Sequence, residues 1–464
     1  MMTLGAATRW LSHASLVGNS DVVVQRVHTD TRTIESGDLF VALKGERYDA
    51  NAFLAEAQSR GAAAVICHAG LDASNYPAGL PRIEVADTRL ALGELATGWR
   101  AQFDIPLIAV TGSNGKTTVT QMIASILQAH AGEAALATRG NLNNDIGVPL
   151  TLLRLRPEHH IAVVELGMNH PGEIASLAAM AQPTVALVNN AQREHLEFMK
   201  TIEAVAQENG CVITALPHDG VAVFPQDDTY TPVWLGLSGE RRSLQFAGSD
   251  LAPAQTACID AQWAQGAWQV HARTPQGELR FALHIAGRHN VKNAMAAASC
   301  ALAAGVAAQA VVQGLEQFVP VKGRSRALSI KHQGQSLTVV DDTYNANPDS
   351  VRAAIDVLAE LPGPRLLVLG DMGEVGEQGP QFHAEAGRYA KASGIEYFFA
   401  TGALTHFAVA QFEGGLHFES VETLNAAVPE KLPRVQSVLV KGSRFMRMER
   451  VVNALVAPEA VHAA

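Results

Sequence analysis

The chain has 464 residues, 48% hydrophobic and 17% charged, with a net charge of −10. That length suits about three domains of ~150 residues, and an acidic balance with no long basic run excludes a nucleic-acid binder working through a basic patch. Four scattered cysteines exclude a disulfide framework or CxxC zinc site, and no apolar run approaches the ~20 residues of a membrane span. A cytoplasmic protein without nucleic-acid or membrane partners is expected, since Met1–Val24 lacks a basic-then-apolar leader pattern.

Residues 1–103 form the first expected domain, with strand-like runs at Leu39–Leu43 and Ala63–Cys67 and a helix at Leu90–Trp99. The second, 104–320, opens on an apolar run, Ile105–Val110, that reads as a buried strand, and Val119–Ala129 reads as a helix. Between them lies Thr111-Gly112-Ser113-Asn114-Gly115-Lys116-Thr117-Thr118. Two glycines allow a tight turn that exposes backbone N–H groups, Lys116 adds a positive charge, and Thr117 adds a hydroxyl suited to Mg²⁺. Strand, Gly-rich turn and helix start together make a cradle for the phosphates of a nucleoside triphosphate. The general phosphate loop carries a further glycine five positions before its Gly-Lys pair, where this chain has Val110. A plain glycine turn with a solvated lysine is the alternative.

Ligands of open α/β sheets sit beyond the carboxyl ends of the strands. The polar loop Thr138–Asn144 holds Asn141, Asn143 and Asn144, which read as ligand contacts or as a surface turn. Ile161–Leu166 is a strand candidate ending near Glu165, which reads as an Mg²⁺ ligand or as part of a helix-initiating loop. Val185–Asn189 leads to Asn190-Ala191-Gln192-Arg193-Glu194-His195, where His195 is a metal ligand or a structural histidine. Alternation on either side of Thr274–Gly277 predicts an antiparallel hairpin, and an Ala-rich helix, Asn290–Ala304, follows.

The third domain, 321–464, alternates strand candidates Leu337–Val340, Leu366–Leu369, Tyr397–Ala400 and Ser437–Val440 with helices. After the first of these strands, Asp342 and Tyr344 are suited to a ribose and a base. Upstream, Arg324 lies at the domain junction and could reach a γ-phosphate on closure, or belong to a solvated hinge.

These motifs together resemble the Mur ligases, the ATP-dependent amide-forming enzymes of peptidoglycan precursor synthesis. The resemblance rests on Thr29–Arg32, Gly37–Arg47, the phosphate loop, Gly140–Asn144, Glu165–Glu173, Asn189–Glu197, Gly287–Ala294, Asp342–Pro348, Leu369–Gly376 and Val440–Arg444. It implies an α/β fold of three domains: a small α/β domain for the uridine diphosphate, a central parallel-sheet ATPase domain of phosphate-loop type, and a Rossmann-like C-terminal domain. It also implies the joining of D-alanyl-D-alanine to UDP-N-acetylmuramoyl-tripeptide by a monomer, with ATP and Mg²⁺ as cofactors. By resemblance Thr29, Asp30, Arg32 and Lys44 hold the uridine diphosphate, and Asn141, Asn143, Asn144 and Asn347 contact substrate. Gly112–Thr118 hold the ATP phosphates; Thr117, Glu165 and His195 bind metal; Asn290 and Asn293 face adenine. Arg324 meets the γ-phosphate, and Asp342 and Tyr344 the ribose and base. Lys116, Glu165, His195 and Arg324 form the catalytic set. Another ligase of the family with a different amine, or an inactive nucleotide-gated protein, are the alternatives.

One position departs from the family. The lysine that Mur ligases carbamoylate to hold a second Mg²⁺ aligns with Asn209, so either Asn209, Glu208 or water is expected to substitute, or the second metal is held more weakly.

Overall fold

The computed structural model describes residues 1–45, 48–250 and 253–456, so Glu46 and Arg47 of the Gly37–Arg47 motif lie outside the described residues. Three sheets organise the chain. The first has five strands in the order Ser15–Val17, Arg82–Val85, Ala64–His68, Asp38–Val41 and Arg26–His28; all neighbours are parallel except the first pair. The second has nine. Ala135–Ala137, Ile161–Glu165, Leu107–Thr111, Val185–Val188, Val221–Pro225, Arg242–Ala247 and Thr256–Ala264 run parallel, and Ala267–Thr274 and Gly277–Leu283 then extend it antiparallel. The third has six strands in the order Arg326–His332, Gln335–Asp342, Ser437–Lys441, Arg365–Gly370, Tyr397–Thr401 and Leu416–Phe418; only its first pair is antiparallel.

The central strands are buried along their whole length, as strands covered by helices on both faces must be. One face packs against Val119, Met122, Ile123 and Ile126 of the helix Lys116–Ala131 and against the Ala-rich helix His289–Ala303. The other face shares one apolar cluster with the first sheet, in which Leu39, Ile66, Leu92 and Trp99 pack with Leu177 and Val205. Polar anchors reinforce this seam. Trp99 Nε1 donates to the Leu155 carbonyl (3.1 Å), and Arg100 donates to the carbonyls of Ala181 and Gln182. The C-terminal sheet, by contrast, has cores of its own. Its join to the central unit takes Ala286 and Leu196 into one of those cores and is otherwise made by polar and charged contacts such as Arg193 with Asp349 and Glu385.

The helix expected from Val119 starts three residues earlier, at Lys116, because Gly115 adopts a left-handed φ of +81° and ends the loop there. Lys116, Thr117 and Thr118 therefore sit in the first helical turn. The hairpin turns at Thr274–Gly277 as its spacing predicts.

Candidate active site

The carboxyl ends of Leu107–Thr111, Ile161–Glu165 and Val185–Val188 open into a cavity of about 1660 Å³. Arg89 of the first unit, the phosphate loop, and Arg324, Asp342, Tyr344 and Lys441 of the C-terminal unit all line it.

The loop is tightly built. A Cβ on Gly112, whose φ is +127°, would meet Asn189 and the Asn190 nitrogen at 3.0 Å, and one on Gly115 would meet Asn189 Nδ2 at 2.7 Å. Both positions thus require glycine. The N–H groups of Gly112, Ser113 and Asn114 already donate to Asn209 Oδ1, the Asn190 carbonyl and Asn190 Oδ1. The helix that follows has no side-chain cap, so its first-turn N–H groups and positive dipole end remain available for phosphate. Lys116 Nζ donates to the Gly112 and Ser113 carbonyls (2.5 and 3.0 Å) and to Glu194 Oε1 (2.8 Å).

Glu165 is 1% exposed. Its Oε1 accepts from Thr117 Oγ1 (3.2 Å) and Asn143 Nδ2 (2.7 Å), while its Oε2 is buried without a hydrogen-bond partner. An orphaned carboxylate oxygen beside a threonine hydroxyl fits a hard cation such as Mg²⁺. Among the described residues no three of His, Cys, Asp and Glu converge as a metal set. A cation here would therefore depend on Glu165, Thr117 and oxygens of the nucleotide or water.

His195, expected as a metal ligand, lines the same cavity and sits between two carboxylates. Its Nδ1 lies 2.6 Å from Glu374 Oε2 and its Nε2 3.4 Å from Glu194 Oε1. Burial lowers its pKa, but the two carboxylates outweigh burial and raise it to about 9. In this arrangement both ring nitrogens of His195 face carboxylates, Glu194 on one side and Glu374 on the other. Burial pushes the Glu194 carboxyl up, and the Lys116 ammonium beside it brings it below its ordinary value.

Asn209 and Glu208 are both held by protein groups. Asn209 is 1% exposed and donates through Nδ2 to the Val205 carbonyl, so with Gly112 N–H on its oxygen it fastens the phosphate loop to its own helix. Glu208 accepts from Gly172 and Ile174 N–H, both at 2.9 Å, and anchors the start of the helix Glu173–Ala181.

Other expected contacts are also redirected. Asn293 and Asn290, expected to face adenine, form an amide chain behind Gly115: Asn189 Nδ2 donates to Asn293 Oδ1, Asn293 Nδ2 to Asn290 Oδ1, and Asn290 Nδ2 to the Ala286 carbonyl. Asn347 caps the helix Pro348–Glu360 in a capping box and reaches across to Asn114 Oδ1 at 2.9 Å. Asn144 caps locally on the Gly147 N–H, while Asn141 lines the cavity. Asp342 is bound to Lys441 Nζ (2.6 Å) and the Ser325 N–H rather than free for a ribose. Burial would raise its pKa, but Lys441 holds it below the ordinary value. The Arg324 guanidinium lies 4.0 Å from the Tyr344 ring centre, covering a face expected for a base.

Thr29, Asp30, Arg32 and Lys44 are not among the residues lining this cavity. Asp30 caps the short turn Thr31–Thr33 and pairs with Arg32, whose hydrogen bonds hold its carboxyl at about 2.

Sequence reasoning missed the clasp between the central and C-terminal units. Arg193 forms a two-pronged pair with Asp349 (2.7 Å) and pairs with Glu385 (2.8 Å). No local motif signals it, because its partners lie 156 and 192 residues away.

Comparison with known proteins decides the family. The Mur ligase family, catalytic domain pattern matches residues 23–100, the Mur ligase middle domain residues 110–301, and the Mur ligase, glutamate ligase domain residues 325–444. The chain belongs to the Mur ligase family. This Mur ligase is 40% identical over 441 residues to the UDP-N-acetylmuramoyl-tripeptide–D-alanyl-D-alanine ligase of Escherichia coli (strain K12), covering 94% of each chain. It is 39% identical to the Haemophilus influenzae protein of the same name, covering 95% of this chain and 96% of that one. Its fold matches MurF from Acinetobacter baumannii with a TM-score of 0.89 at 35% identity, covering 98% and 99% of the two chains. It matches MurF ligase from Thermotoga maritima in complex with ADP with a TM-score of 0.82 at 25% identity, covering 94% and 98%. The three-part α/β architecture is the one the sequence resemblance implied.

Proposed function

We propose that this chain is an ATP-dependent, ADP-forming ligase that joins D-alanyl-D-alanine to UDP-N-acetylmuramoyl-tripeptide in peptidoglycan precursor synthesis. We take residues 1–103, 104–320 and 321–464 as its domains and the cytoplasm as its location. The observation that carries the reading is the single cavity into which the phosphate loop, the orphaned Glu165 oxygen and Arg324 of the C-terminal unit all open.

In this reading the triphosphate lies on the uncapped start of the helix at Lys116, with Lys116 neutralising its terminal charge. Thr117 and Glu165 would hold Mg²⁺, which supplies further neutralisation when bound. The terminal carboxylate of the tripeptide attacks the γ-phosphorus, the bond to the β,γ-bridging oxygen breaks, and ADP leaves with the electron pair. The barrier is repulsion between anions, so Lys116 and an Arg324 swung from Tyr344 lower it by charge rather than by covalent help. The amine of D-alanyl-D-alanine then attacks the acyl-phosphate carbon, phosphate leaves with the bonding pair, and the nitrogen gives up a proton.

The test is ADP release and product mass with ATP, Mg²⁺, UDP-N-acetylmuramoyl-tripeptide and individual amines. ADP that requires both the acceptor and D-alanyl-D-alanine is the expected outcome. Turnover with a different amine would move the chain to another specificity, and no ADP in any combination would overturn the reading.

A further inference from the structure

An ammonium group has three N–H donors, and all three of Lys116 are engaged. A phosphate oxygen can therefore reach this lysine only by replacing a partner. Two of the partners are carbonyls of the phosphate loop itself. That loop is pinned, with Gly112 N–H on Asn209 and Ser113 N–H on Asn190, so those carbonyls yield only if the loop deforms.

The third partner is different. Glu194 is a side chain, 7% exposed, at the cavity wall. Its Oε1 has a second neighbour, His195 Nε2 at 3.4 Å, and its Oε2 is buried without a hydrogen-bond partner. His195 is held from its far side by Glu374 of the C-terminal unit. When Lys116 leaves, Glu194 Oε1 keeps its neighbour His195 Nε2.

We propose that Glu194 is a positioning residue that stands in for nucleotide phosphate, holding Lys116 in its phosphate-ready orientation until ATP displaces it onto His195. The inference rests on the ligase reading only in taking the phosphate loop as the nucleotide site. ATP must then compete with an internal carboxylate, and AMP, which has no β- or γ-phosphate, need not.

The test is calorimetric titration of the full-length protein with ATP in EDTA, which isolates the competition at Lys116 from any metal. Glu194→Gln is expected to bind ATP at least fivefold more tightly than wild type, with AMP affinity unchanged. In a Lys116→Met background the same substitution is expected to bring no gain, which separates release of Lys116 from a general loss of negative charge. If Glu194→Gln does not fold, Glu194→Ala serves the same comparison. Unchanged or weaker ATP binding in the folded variant, or a gain that persists without Lys116, would overturn the proposal. Failure of the wild type to bind ATP with or without Mg²⁺ would instead overturn the nucleotide reading of the loop.

Discussion

Replacing Arg193 with methionine should loosen the C-terminal unit from the central one. The guanidinium makes two-pronged pairs with both Asp349 and Glu385 of the C-terminal unit, donating to both carboxylate oxygens of each. The three side chains are 17%, 23% and 27% exposed. Breaking a fully buried pair costs about 3–5 kcal/mol and an exposed pair under about 1 kcal/mol. A pair about one quarter exposed falls between them, at about 2 kcal/mol. Methionine keeps the apolar stem but loses the guanidinium over the Phe382 ring, and it leaves Asp349 without this cation while Glu385 keeps Arg352. At ~1.4 kcal/mol per tenfold, the closed-to-open ratio should fall about 30-fold. The central core is untouched, because Arg193 is not part of it. Small-angle scattering of the nucleotide-free protein should show a larger radius of gyration, while the main thermal transition stays within a few degrees. A variant as compact as wild type would refute the assignment of Arg193 as the clasp.

Gly115→Ala should abolish measurable ATP binding, since a left-handed φ costs a Cβ-bearing residue about 1–2 kcal/mol and this Cβ would also strike Asn189 and Asn293; titration at the wild-type level would contradict this. Asn209→Ala should lower stability by about 1–3 kcal/mol by leaving the buried Gly112 N–H without an acceptor. Its Mg²⁺ requirement should be unchanged, and the reverse pattern would return Asn209 to the metal. Asp342 has a folded-state pKa below its ordinary 3.8, so its contribution is present above that value and lost as pH falls through the folded pKa. The melting-temperature gap between wild type and Asp342→Asn should begin to narrow as pH falls below 3.8; a gap that stays constant under acid would show that the Lys441 pair contributes no such stability.

The parallel strands were legible in the sequence because burial on both faces leaves them as continuous apolar runs, as in Leu107–Val110 and Val438–Val440. Short edge strands such as Arg26–His28 and Leu416–Phe418 were not, because three residues are too few to show a period. The phosphate loop was legible because its conformation is local: two glycines, a lysine and a helix start within five residues. Roles assigned to single polar residues fared differently. Asn347 caps a helix and touches Asn114, 233 residues away, and Asn293 supports Gly115 from behind.

The sequence by itself determined the family, the α/β alternation and the Gly-rich turn that opens a helix at Lys116, because each depends on residues adjacent in the chain or on the period of burial. Only the tertiary structure decided which partners His195, Asn209, Asp342 and Asn347 find. A polar side chain is satisfied by whichever partner the fold brings within about 3 Å, and for His195 those partners, Glu194 and Glu374, come from two different parts of the molecule.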